Sequence, residues 1–236
     1  MPRIEEHQLR PWGWENDPEE ERLRFSSMDY LAAFTYNSYA LFFKLQDEER
    51  AKALAVLREG LEKTLANAGS WRDSTVKFVV KYWEAEDGVP SLSDVENAHF
   101  ASFSLGDTGR FVVEGMAYGE KPECLASAKP VVSTFQANFV HGGLIFVVNS
   151  HHYSNNVMGW ANFVYQLAEN CYSIANNTAP PPWDPANLDA TRFTASDFPS
   201  DSKVDGTTPS ERNPLLREHL SLLFHFEFRD YEVKTF

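Results

Sequence analysis

The chain has 236 residues, 43% of them hydrophobic and 14% aromatic, which is enough apolar material for one well-packed domain of ordinary to large size. Asp and Glu outnumber Lys and Arg 34 to 21, and with no basic cluster the formal charge of −13 argues against nucleic acid and anionic membrane as partners. No run approaches the roughly 20 apolar residues that span a bilayer, and the opening MPRIEEHQLRPWGWENDPEEER has no apolar stretch of a secretory signal, so a cytoplasmic protein is expected.

Residues 1–24 are polar and turn-rich and read as an irregular N-terminal arm, with the acidic run from Glu15 to Glu21 a solvated segment. A domain is expected over residues 25–177. Within it Tyr39, Leu41, Phe43 and Leu45 alternate as in a strand. Asp47 offers an N-cap, Glu48 and Glu49 suit a first turn, and Leu54, Leu57, Leu61 and Leu65 recur at helical spacing. These predict an amphipathic helix over about 47–68. Val76, Phe78, Val80 and Tyr82 predict a second strand, and 110–117 a weaker one. Two β-rich runs, 131–140 and 144–149, flank His141-Gly142-Gly143, which suits a tight hairpin needing positive φ. Leu144 to Val148 is apolar on both faces, as expected of a strand inside a sheet covered on both sides.

A second helix is expected over about 158–174, from the spacing of Val164, Leu167, Cys171 and Ile174. Residues 178–214 are rich in Pro, Asp, Ser and Thr, with prolines at 180–182, and read as a long crossover. In the last stretch, 215–236, Phe224, Phe226 and Phe228 alternate as in a terminal strand. That strand needs neighbours, either in the sheet already described or on another chain. Cys124 and Cys171 make neither a disulfide framework nor a zinc spacing, and both are expected as free thiols.

Chemistry concentrates where a buried strand, a polar loop and a helix meet, from His151 to Gly159. Metal binding fits poorly, because neighbours on a strand point to opposite faces and no carboxylate or third His lies at close ligand spacing. A nucleophilic triad fits poorly too, since Ser150 and Ser154 are not in a Gly-x-Ser-x-Gly elbow. Two readings remain from the residues alone. Both imidazoles are hydrogen-bonded structural groups in a polar loop, or one of them is a general base, a role that suits a group titrating near neutrality.

The string His151-His152 with Asn156 and Gly159, after the hydrophobic run 144–149 and before the helix opening Met158-Gly159-Trp160, resembles the His-His-x-x-x-Asp-x-x-Gly motif of many fungal BAHD-type acyltransferases. These enzymes are related to chloramphenicol acetyltransferase and to peptide-synthetase condensation domains. Ser27-Met28-Asp29, the aromatic strand after it, the Leu54/Leu61 helix and the Pro-rich crossover are similar, in order, to the N-terminal half of the trichothecene 3-O-acetyltransferase-like branch.

The resemblance implies an α/β (α+β) fold, a chloramphenicol-acetyltransferase-like half with a mixed β-sheet and flanking helices. It also implies an acyl-CoA-dependent O-acyltransferase that moves an acetyl group from acetyl-CoA to a hydroxyl of a small fungal secondary metabolite. His152 would be the general base, with His151 the fallback, because only His152 has the motif spacing to Asn156 and Gly159. No acyl-enzyme and no metal are implied.

Two features depart from the family pattern. Asn156 stands where the motif has Asp, and keeps its size but not its charge. The second family motif, Asp-Phe-Gly-Trp-Gly, which comes from a C-terminal domain, is absent from these 236 residues; Trp12-Gly13-Trp14 is the nearest string. The alternative expectation is therefore a catalytically inactive half-length remnant or interaction subunit, acting as a homodimer or with a complementary half-chain. A hydrolase that uses the same His to activate water is a third reading.

Overall fold

The computed structural model describes residues 1–17, 35–67, 75–116, 131–152, 154, 157–183 and 234–235. The alternation at Tyr39 to Phe43 forms strand β2 (Tyr36–Lys44), whose residues other than Lys44 are all buried. It pairs antiparallel with β5 (Gly143–His151), in register from Lys44↔Gly143 to Tyr36↔His151. All nine β5 residues are buried, as its two-faced apolarity predicts. A tight turn joins β5 to β4 (Ser133–Val140), and Gly142 at φ 75° supplies the left-handed residue it requires. β4 runs parallel to β3 (Val76–Tyr82), and the outer partner of β3 is β1 (Arg3–Leu9), antiparallel. The two-residue β6 (Lys234–Thr235) pairs with β2, so the strand order is β1-β3-β4-β5-β2-β6 in one mixed sheet.

The period of two sorts the sheet residues between two layers. Leu41, Phe43, Phe78, Val80, Phe135, Phe146 and Val148 face helices α1 (Arg50–Ala66) and α3 (Val157–Asn176), which contribute Leu57, Leu61, Val164 and Leu167. Ala40, Phe42, Ile145 and Val147 face the other way, onto Trp83, Leu92, Val95, Leu105 and Phe111. That second layer is the long β3–β4 crossover, which includes the short helix α2 (Leu92–Asn97). Each fully buried side chain of this kind contributes about 1.5–3 kcal/mol, so the apolar middle of the sheet anchors both layers.

Three expectations change. The arm expected to be irregular contains β1. Its residues alternate weakly because an edge strand exposes much of both faces, and only Leu9 is buried. The first helix is α only from Arg50. Asp47–Glu49 is a 3-10 turn capped by a Gln46/Glu49 capping box, and Asp47 pairs with Arg50 (2.6 Å) instead of capping. In the run expected over 110–117, the described residues 110–116 are not a strand. Asp107 caps a 3-10 turn at Thr108–Phe111, and side chains satisfy the carbonyls a ladder would have used: Lys81 Nζ and Gln136 Nε2 donate to the Arg110 carbonyl, and Asn138 Nδ2 to that of Phe111.

Asn156, Cys124, Ser27 to Asp29, residues 184–214 of the crossover and the terminal phenylalanines lie outside the described residues. Among the described residues, no helix is long and apolar enough to cross a membrane.

Candidate functional site

Apart from Gln136 and Asn138 in the middle of β4, the buried polar side chains of the sheet gather at one end. Asn37 and Ser38 open β2, Ser133 and Thr134 open β4, and Asn149, Ser150 and His151 close β5. Because β5 runs antiparallel to both neighbours, these positions fall side by side (Ser38↔Asn149, Ser133↔Ser150, Tyr36↔His151). All but Ser133 are buried. Asn149 Nδ2 donates to Ser38 Oγ (2.7 Å), and the hydroxyls of Ser133 and Ser150 lie 3.4 Å apart. A buried polar end on an apolar sheet costs stability unless its groups are paired, and such convergent polar groups mark where sites form. The sequence signal of this polar end lies in Asn37-Ser38 and Asn149-Ser150, which interrupt otherwise apolar runs.

His151 and His152 sit at that end. His151 N–H donates to the Val132 carbonyl (2.8 Å) and His152 N–H to the Thr35 carbonyl (3.0 Å), so the pair is anchored to the chain on both sides of β5. Ser154 closes the turn, its backbone N–H (3.0 Å) and its hydroxyl (2.8 Å) both donating to the His151 carbonyl. The two imidazoles differ in surroundings. His151 is 2% exposed, and its ring meets Tyr36 edge to face, centroids 5.1 Å apart at 86°. His152 is half-buried. Its Nδ1 is shielded and has no hydrogen-bond partner among the described residues. Gly159 lies in the first turn of α3, and the next residue, Trp160, stacks on Tyr39 (4.4 Å, 25°), which ties the start of the helix to β2. The structure thus places His152 beside the residue that precedes β2, while Trp160 ties α3 to the same strand and Asn156 lies outside the described residues. Among the described residues, no group of three or more His, Cys, Asp or Glu side chains could hold a metal ion.

A mixed sheet with helices on one face, a crossover on the other and a histidine at the end of a central strand is the BAHD-type acyltransferase fold, in its N-terminal half. The TRI101 protein of F. graminearum, solved with coenzyme A and T-2 mycotoxin, has this fold. It aligns with a TM-score of 0.52 at 16% identity, over 68% of this chain and 40% of that one. Vinorine synthase aligns with a TM-score of 0.49 at 18% identity, over 85% of this chain and 48% of that one.

Residues 68–171 match the family described as the trichothecene 3-O-acetyltransferase-like N-terminal domain. Acetyltransferase FGR3 from Gibberella zeae is 47% identical over 245 residues, 95% of this chain and 49% of the relative. Over residues 68–171 the chain is therefore similar to the trichothecene 3-O-acetyltransferase-like N-terminal domain, and the whole chain spans about half the length of the curated relative it matches.

Proposed function

We propose that this chain supplies the N-terminal half of the machinery of an acyl-CoA-dependent O-acyltransferase, moving an acetyl group from acetyl-CoA to a hydroxyl of a fungal secondary metabolite. The observation that carries this reading is the contrast between the two histidines. His151 is sealed in the sheet, whereas His152, fixed by its backbone to Thr35, keeps part of its surface open. The 47% identity to an acetyltransferase and the coenzyme A in the TRI101 complex support acyl-CoA as the co-substrate.

In this mechanism Nε2 of His152 takes the proton of the acceptor hydroxyl as its oxygen attacks the thioester carbonyl. The tetrahedral intermediate collapses with cleavage of the carbon–sulfur bond, and the imidazolium returns the proton to the departing thiolate. No acyl-enzyme forms. A placed base contributes typically about 10²–10⁴-fold, and holding both substrates in line supplies the rest of the advantage as orientation. Asn156 and Gly159 would shape the loop that carries the base.

The test is acetyl transfer from labelled acetyl-CoA to a panel of hydroxylated acceptors, by the chain alone and after co-expression with residues corresponding to the remainder of the FGR3-like relative. Transfer that disappears in His152→Ala supports the reading, and full turnover in that variant discards the base assignment. Transfer only in the co-expressed sample assigns the chain as a half that needs its complement. Absence of transfer in both supports the inactive-remnant reading.

A further inference from the structure

We propose that Tyr36 is a positioning residue for His152, acting through His151 and the Thr35 carbonyl; this inference rests on the base assignment above. Three observations converge on Tyr36. It is 2% exposed at the first position of β2, and its register partner is His151, the last residue of β5. Its ring meets that of His151 edge to face at 5.1 Å, a geometry in which the positive edge of one ring contacts the negative face of the other. The residue before it, Thr35, accepts the hydrogen bond of the His152 N–H.

A strand end normally frays, because the last residues lose ladder partners on one or both sides. Here the aromatic pair holds the β2 start and the β5 end together where the ladder stops. The carbonyl next to Tyr36 then fixes the peptide that carries the His152 side chain. A base misplaced by about 1 Å can lose two orders of magnitude in rate, so a brace at this point bears on catalysis although Tyr36 need not touch a substrate. The group this account relies on is the ring of Tyr36.

The experiment uses the full chain, with its complement where transfer requires it, and compares Tyr36→Leu, Tyr36→Phe and His152→Ala. Tyr36→Leu should lower kcat by about tenfold or more with KM for acetyl-CoA little changed, and should broaden or shift the His152 imidazole NMR resonances, assigned by their loss in His152→Ala. Tyr36→Phe should restore both readouts. Wild-type kcat and an unaltered His152 signal in Tyr36→Leu would overturn the inference, as would a Tyr36→Phe variant as impaired as the leucine one.

If Tyr36→Leu does not fold, hydrogen exchange in the wild-type chain decides. The His152 amide should be protected like those of the β5 interior, and exchange as fast as a free turn overturns the brace. The two readings fail separately. Full turnover in His152→Ala removes the base assignment, whereas an inactive His152→Ala beside a fully active Tyr36→Leu removes only the role of Tyr36.

Discussion

Gly60 on α1 lies so close to Cys171 on α3 that a Cβ at position 60 would collide with the Cys171 sulfur. Around this contact Cys171 Sγ donates to the Val56 carbonyl (3.8 Å), and Asn170 Nδ2 donates to Thr64 Oγ1 (3.0 Å). Small residues set the spacing of the two helices. Overpacking costs about 1–3 kcal/mol, and alanine regains up to about 1 kcal/mol of helix propensity over glycine. Gly60→Ala should therefore lose about 1 kcal/mol in urea unfolding. In a Cys171→Ala background the same substitution should be neutral or stabilising, because the colliding atom is gone.

Asn138 and Thr134 lie on one strand and one face, yet they should respond in opposite ways. Asn138 Oδ1 accepts from Trp83 Nε1 (3.1 Å) and Gln136 Nε2 (2.8 Å), and its Nδ2 donates to the carbonyls of Phe111 and Ile145. Asn138→Ala would strand several buried groups at about 1–3 kcal/mol apiece, so a loss of about 3 kcal/mol or more is expected. Thr134 Oγ1 is buried without a hydrogen-bond partner among the described residues. Thr134→Val keeps the shape and removes that hydroxyl, so it should leave stability unchanged or raise it by about 1 kcal/mol. Paired denaturation curves of the two variants check this.

Cys171 predicts an alkaline weakness. Burial, and then the charge of Glu59, pushes its thiol far above the ordinary range. The unfolded thiol ionises near its reference value of about 8.5 while the folded one stays protonated, so above that pH the unfolded state binds fewer protons. The linkage sign is then negative, and stability falls as pH rises. The contribution is fully present below the unfolded pKa and is lost at up to about 1.4 kcal/mol per pH unit above it. Cys171→Ala should flatten the stability profile above pH 9, and peptide mapping after alkylation should find Cys171 modified only once the chain is unfolded.

The two adjacent histidines should separate in stability as well as in activity. Truncating His151 removes a sealed ring that packs on Tyr36, so His151→Ala should cost about 2 kcal/mol or more. Truncating the half-buried His152, whose Nδ1 makes no hydrogen bond among the described residues, should cost within about 1 kcal/mol. Thermal and urea unfolding of the two single variants would show it, and equal losses would mean that both rings are structural.

Much of this architecture could be read without coordinates where the apolar period was strong. β2, α1, β3, the β4–β5 hairpin and α3 all follow alternation or helical spacing that large side chains make plain, and the hairpin glycine is demanded by a positive φ. Reading failed where that signal was weak. β1 is an edge strand with polar residues on both faces, so local pattern could not separate it from an irregular arm. Residues 110–117 have the composition of a strand, but Lys81, Gln136 and Asn138, distant in sequence, take the carbonyls a strand would have used.

The sequence by itself determined which residues could carry the chemistry, because His151, His152 and Gly159 form a local motif whose spacing needs no partner from elsewhere. Only the tertiary structure decided how the two imidazoles differ. Their placement depends on Tyr36, Thr35 and Val132, which reach the end of β5 through strand pairing across more than a hundred residues in two of the three cases. Local sequence fixes periodicity and turn chemistry, whereas burial is set by contacts between segments far apart in the chain.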